Sequence, residues 1–128
     1  MTEPVRVMYV DDEPDIRTIV EFALEDEPGM ALQICSSGAQ ALEAALQFLP
    51  DIVLLDVMMP GMDGPTTLQH LKVLPELANT RFAFVTAKVQ PQEVAQFKAM
   101  GATAVIAKPF DPMALADQVW AIRDRSDG

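Results

Sequence analysis

A chain of 128 residues, half of them hydrophobic, suits one domain with one core and leaves no room for a second. Its formal net charge of −10 opposes direct contact with nucleic-acid phosphates and suits a cation site. The lone Cys35 excludes an internal disulfide, and with no signal peptide or membrane-spanning run in view the expectation is a cytoplasmic protein without membrane insertion.

Residues 5–10 (VRVMYV), flanked by Pro4 and Asp11-Asp12, predict a short buried strand of the parallel type. Pro14 suits the first turn of a helix, and the surrounding acids suit its positive end. Ile16, Ile19, Val20, Ala23 and Leu24 form its apolar stripe, and Pro28-Gly29 ends it. Phe22 lies off the stripe and is expected at the surface. Residues 31–35 predict a second strand. Ser36-Ser37-Gly38 then caps a helix over 39–49, with Ala41, Leu42, Ala45, Leu46 and Leu49 inward and Pro50 as the stop.

Residues 51–55 predict a buried strand, opened by Asp51, that delivers Asp56 to its C-terminal end. Met58-Met59-Pro60-Gly61 breaks the chain, and Asp63-Gly64 starts a helix that carries Leu68, Leu71 and Leu74 and ends near Pro75. Residues 81–85 (RFAFV) predict the fourth strand, ending at Thr86-Ala87-Lys88. Pro91 starts a helix with Val94, Phe97 and Met100 inward, closed by Gly101. Residues 103–107 predict the fifth strand, which delivers Lys108-Pro109-Phe110. The last helix spans about 112–123 with Leu115, Val119 and Ile122 inward, so the folded core is expected over about 4–123 and a polar tail over 124–128. Five strands alternating with five helices predict a three-layer α/β/α fold, with a parallel sheet covered on both faces.

In such a sheet the C-terminal strand ends share one edge, where ligands bind. Strand one brings Asp11 and Asp12 there, strand three Asp56, strand four Thr86 and strand five Lys108. Three carboxylates so close repel one another unless a cation holds them, and an all-oxygen anionic set suits Mg²⁺, with Mn²⁺ an alternative. A carboxylate can attack phosphorus to give an acyl phosphate, while a lysine and a hydroxyl bind the other phosphoryl oxygens. His70 is not needed for this chemistry and is expected to be solvated on its helix.

On these residues the chain resembles the receiver domain of two-component response regulators, of the chemotaxis-receiver type, over essentially its whole length. The shared features are DDE at 11–13, D-x-x-M-P-G-M-D-G from Asp56, T-A at 86–87 and K-P-F at 108–110. The resemblance implies a flavodoxin-like (βα)5 fold with strand order 2-1-3-4-5. It implies that Asp56 accepts a phosphoryl group from the phosphohistidine of a histidine kinase or histidine phosphotransfer protein, in a regulatory phosphoacceptor and not a free-standing enzyme. It further implies Mg²⁺ on Asp12, Asp56 and the backbone carbonyl of Met58, with Asp11 acting directly or through water. Lys108 would pair with one phosphoryl oxygen, Thr86 would move to bond another, and the Lys108–Pro109 peptide would be cis.

The sequence departs from the family at Val105, where receivers often carry a Tyr or Phe that swings with the threonine. The aromatic switch is therefore replaced, in expectation, by Thr86, the loop after it and the fourth helix. Thr103-Ala104 also lacks the acidic pair usual in winged-helix regulators. Met58 and Lys88, two residues past Asp56 and Thr86, are candidates to tune the lifetime of the phosphoaspartate; ordinary exposed loop residues are the equal alternative.

If the chain ends at Gly128, its signal is expected to leave by contact with a downstream protein. Trp120, off the last helix's stripe, is either an exposed anchor or packed beneath a neighbouring element, and Phe22 is a candidate for docking a phosphodonor. Three other readings compete with this one. An Asp-nucleophile phosphohydrolase wants an acid where Met58 stands, and a flavodoxin phosphate loop would not read DDEPD. A phosphorylation-independent scaffold would have little use for the full acidic cluster with Thr86 and Lys108.

Overall fold

Each apolar run becomes a strand, and the two-residue period of the strands divides their side chains between two cores. The computed structural model describes residues 3–125. In it β1 (Val5–Val10), β2 (Met30–Cys35), β3 (Ile52–Asp56), β4 (Arg81–Thr86) and β5 (Ala104–Ala107) form one sheet of order β2-β1-β3-β4-β5. Every neighbouring pair is parallel. The connecting helices are α1 (Pro14–Leu24), α2 (Gly38–Phe48), α3 (Gly64–Lys72) and α4 (Pro91–Ala99), and α5 (Pro112–Asp124) closes the order.

On one face Val7, Tyr9, Ile52, Leu54, Ala83, Val85 and Ile106 meet Val20 and Leu24 of α1 and Leu115, Val119 and Ile122 of α5. On the other, Met8, Val10, Val53, Leu55, Phe82 and Phe84 meet Ala41 and Ala45 of α2, Leu68 and Leu71 of α3 and Phe97 of α4. Burying each large side chain contributes about 1.5–3 kcal/mol, so the central strand β3, buried along its whole length, anchors the sheet. This is the three-layer, five-stranded fold that the sequence predicts.

The differences are local. Asp51 precedes β3 instead of opening it, and its Oδ2 accepts the Arg6 N–H at 2.8 Å. Asp56 pairs in register with Val85 and so closes β3. Leu46 and Leu49, expected inward, are 48% and 42% exposed. The small residues Gly38, Ala41 and Ala45 set the seat of α2, with Phe48 partly buried beside them, which turns Leu46 outward. Leu49 has a positive φ of 53° as the left-handed cap, so the helix period no longer aims its side chain. A 3-10 turn at Pro75–Leu77, unexpected from the sequence, buries Leu77. Asp124, assigned to the tail, is the last residue of α5, and the final three residues of that tail lie outside the described residues.

Candidate functional site

The site starts from the parallel strands, which bring Asp11, Asp56, Thr86 and Lys108 to one edge. Asp11 and Asp56 are almost withdrawn from water, at 0% and 4% exposure, and Thr86 is also buried. Asp12 is half-buried, and one carboxylate oxygen from each of Asp11, Asp12 and Asp56 lies within 4.8 Å of the others. Lys108 Nζ bridges two of them, donating to Asp11 Oδ2 and Asp56 Oδ1 at 3.1 Å each. Exposed Glu13 is a third, looser ion partner at 3.6 Å.

Burial pushes the Asp56 carboxyl up to about 6; the Lys108 hydrogen bond opposes this and the nearby Asp11 charge reinforces it. Burial alone would lower the Lys108 ammonium, but its bonds to Asp56 and Asp11 prevail and raise it. Lys108 is the cation hydrogen-bonded to these carboxylates, which outnumber it, so the cluster stays anionic. Oxygen donors of this number and charge fit a hard divalent ion. The described residues therefore include an aspartate triad able to hold a metal ion.

The loops around these groups are fixed by backbone bonds. Gly64 N–H donates to Val57 O at 2.9 Å, and a Cβ at Gly64 would stand 2.3 Å from the Asp56 carbonyl oxygen. Glycine is thus required where α3 meets the end of β3. Asp63 caps α3 by accepting the Thr66 N–H at 2.9 Å. Thr86 Oγ1 accepts the Lys88 N–H at 3.1 Å, and Thr86 O accepts the Lys108 N–H at 2.9 Å. The Lys108–Pro109 peptide is cis.

The Met58 side chain is exposed, whereas its neighbour Met59 is buried. Lys88 is exposed in the 87–90 loop. Val105 is half-buried opposite Phe84 and packs against the core beneath α2, α3 and α4. His70 is exposed. Trp120 is the packed alternative: its Nε1–H donates to Glu27 Oε2 at 2.8 Å, its ring lies 3.7 Å from where a Gly29 Cβ would be, and the Arg123 guanidinium covers it at 4.6 Å. Phe22 is 77% exposed. An open groove of about 300 Å³ beside Lys108 is lined by Ile16, Ile19, Ala87, Pro109, Phe110 and Pro112 together with Glu13.

Two residues at the site were not anticipated. The Tyr9 hydroxyl donates to Asp11 Oδ2 at 2.6 Å, and Arg17 Nη1 donates to Asp11 O at 2.9 Å. The signal for Tyr9 was its i, i+2 relation to Asp11, which puts both on one face of β1. Arg17 had none beyond its place one turn into α1.

Residues 7–120 match the response regulator receiver domain, and the chain belongs to that family. It is 35% identical over 114 residues to sporulation initiation phosphotransferase F of Bacillus subtilis, covering 89% of this chain and 90% of that protein. It is 33% identical over 112 residues to response regulator Rre1 of Synechocystis, but spans only 48% of that protein's length. It is likewise similar to the DNA-binding response regulator MtrA of Mycolicibacterium smegmatis, at 33% identity over 95% of this chain and 52% of that protein. Among solved structures, chemotaxis response regulator CheY4 of Vibrio cholerae superposes with a TM-score of 0.85 at 29% identity, covering 94% of this chain and 99% of that one. The fold is thus the chemotaxis-receiver form of the flavodoxin-like fold. Among the described residues no helix is long and apolar enough to cross a membrane.

Proposed function

We propose that the protein is a single receiver unit that takes a phosphoryl group onto Asp56 from the phosphohistidine of a histidine kinase or histidine phosphotransfer protein. The observation that carries this reading is the Lys108 bridge at 3.1 Å to both Asp56 and Asp11, inside an aspartate triad spanning 4.8 Å. Asp56 is the acceptor because it is the triad member at the end of the central strand, paired to Lys108 and backed by Gly64.

An Asp56 carboxylate oxygen forms the new bond to phosphorus as the phosphorus–nitrogen bond of the donor imidazole breaks. The imidazole keeps the electron pair and takes up a proton. Lys108 turns from the carboxylates to a phosphoryl oxygen, and the Thr86 hydroxyl donates to another. Asp11, Asp12, Asp56 and the Met58 carbonyl would hold Mg²⁺ or Mn²⁺, which neutralises phosphoryl charge when bound. Receivers are phosphorylated by such kinases or phosphotransfer proteins, and here the Ile16/Ile19/Pro109/Phe110 groove adjoins Lys108, with exposed Phe22 further along α1 as a second contact for a donor.

Signal output follows from what surrounds Thr86. Val105 is too small for an aromatic swing, whereas the 87–90 loop is exposed throughout. Among the described residues of α4, Phe97 alone is buried, with its ring centroid 4.9 Å from that of Phe84. Capture of Thr86 by the phosphoryl group pulls on this loop and shifts α4 toward a downstream protein partner. Exposed Met58 and Lys88, two residues past Asp56 and Thr86, set the lifetime of the acyl phosphate; faster autodephosphorylation of Met58→Asn would support this role, and an unchanged rate would contradict it.

The test is incubation with acetyl phosphate and Mg²⁺, followed by intact-mass measurement. Wild type gains one phosphoryl mass and Asp56→Asn does not. An adduct on the variant at the wild-type level would overturn the assignment of Asp56. No adduct on wild type, even with a phosphohistidine donor, would favour a scaffold that works without phosphorylation.

A further inference from the structure

Tyr9 is fully buried in β1, its ring in the core formed with α1 and α5. A phenol oxygen withdrawn from water needs a partner, and this one is Asp11 Oδ2 at 2.6 Å, in the short range of a charge-assisted bond. The contact is built by the strand: residues 9 and 11 point to the same face, so the hydroxyl rises from the core against the underside of the acidic cluster.

The Asp11 carboxylate is consequently held from three sides. Oδ1 accepts the Glu13 N–H at 3.0 Å, and Oδ2 accepts Tyr9 at 2.6 Å and Lys108 at 3.1 Å. These donors are not equivalent. Lys108 is shared with Asp56 and, in the function proposed above, turns to a phosphoryl oxygen. With phenylalanine at position 9, that turn would leave Oδ2 of a 0%-exposed carboxylate without any of the donors it has here. With Tyr9, Oδ2 remains bonded and the carboxylate stays aimed whichever way Lys108 points.

We propose that Tyr9 is a positioning residue of the cation site, its hydroxyl fixing the Asp11 carboxylate for a divalent ion and freeing Lys108 to serve the phosphoryl group. The inference rests on the reading of Asp11, Asp12 and Asp56 as that ion's ligands. Partners that orient ligating carboxylates commonly change metal affinity by about 10–100-fold when removed.

The experiment uses the full chain, in which Tyr9 is the one tyrosine. Mg²⁺ is titrated by calorimetry into wild type and Tyr9→Phe, and the tyrosine near-ultraviolet difference band is followed in parallel, with the Phe variant as blank. The expected result is a tyrosine band that shifts and saturates with Mg²⁺ occupancy, and a Tyr9→Phe variant that unfolds cooperatively in EDTA yet binds Mg²⁺ about 10-fold more weakly. A folded Tyr9→Phe with wild-type affinity would overturn the proposal. If that variant does not fold, a wild-type band that stays fixed through Mg²⁺ saturation overturns it equally. Wild type that takes up no Mg²⁺ at millimolar concentration would instead defeat the underlying cation-site reading.

Discussion

At the scale of single residues, Asp56 is held in a place that suits chemistry better than stability. Burial raises its carboxyl to about 6, against about 3.9 in an unfolded chain. Below about pH 3 the group is protonated in both states and has no effect. As pH rises from about 3 to about 6 the unfolded state ionises first, so stability falls, and above the folded value the penalty is complete at about 3 kcal/mol. Asp56→Asn removes this penalty but gives up part of the bond with Lys108. In metal-free buffer at pH 7 it is therefore expected to be about 1–3 kcal/mol more stable than wild type, with the difference vanishing near pH 3. Urea unfolding at the two pH values measures this directly. The five reactive side chains of the site were legible because each sits one or two steps past a predicted strand end. Tyr9 and Arg17 were not, because an apolar-strand tyrosine and a helix arginine gain their meaning only when β1 and α1 are placed against the Asp11 loop.

At the scale of elements, the strands were the most legible part, since all five are short apolar runs with turn residues at both ends. Helix faces were less so. Leu46 looked inward by hydrophobicity, but α2 seats on Gly38, Ala41 and Ala45, whose small size decides the approach. The 3-10 turn at Pro75–Leu77 escaped because three residues carry no period. The junction of β3 and α3 gives a sharp prediction: Gly64→Ala forces a methyl to within 2.3 Å of the Asp56 carbonyl unless the backbone moves. A loss of about 1–3 kcal/mol in urea unfolding is expected, together with slower phosphorylation, because the moving backbone carries Asp56. Helix α4 gives another. Phe97→Ala removes its buried anchor on Phe84, and hydrogen exchange is expected to accelerate in α4 and the 87–90 loop while β1 and β3 stay protected. Uniform acceleration across the sheet would show that α4 is not a separately movable element.

At the scale of the molecule, charge and architecture work together. A net charge of −10 on 128 residues is compatible with a core split across a parallel sheet, and its densest buried part is collected at one edge, where Lys108 is the cation that bridges Asp11 and Asp56. That edge is the one the fold class assigns to ligands. Family membership and strand order were therefore readable from the sequence. The seating of α4 and the packing of Trp120 against Glu27 and Arg123 depended on three-dimensional neighbours. Of the three aspartates, Asp56 alone is expected to become an acyl phosphate. Borohydride reduction converts an aspartyl phosphate to homoserine, so peptide mass mapping after acetyl phosphate and Mg²⁺ treatment reads the modified position directly. Homoserine at position 56 alone is the expected result; homoserine at 11 or 12, with 56 unchanged, would contradict it.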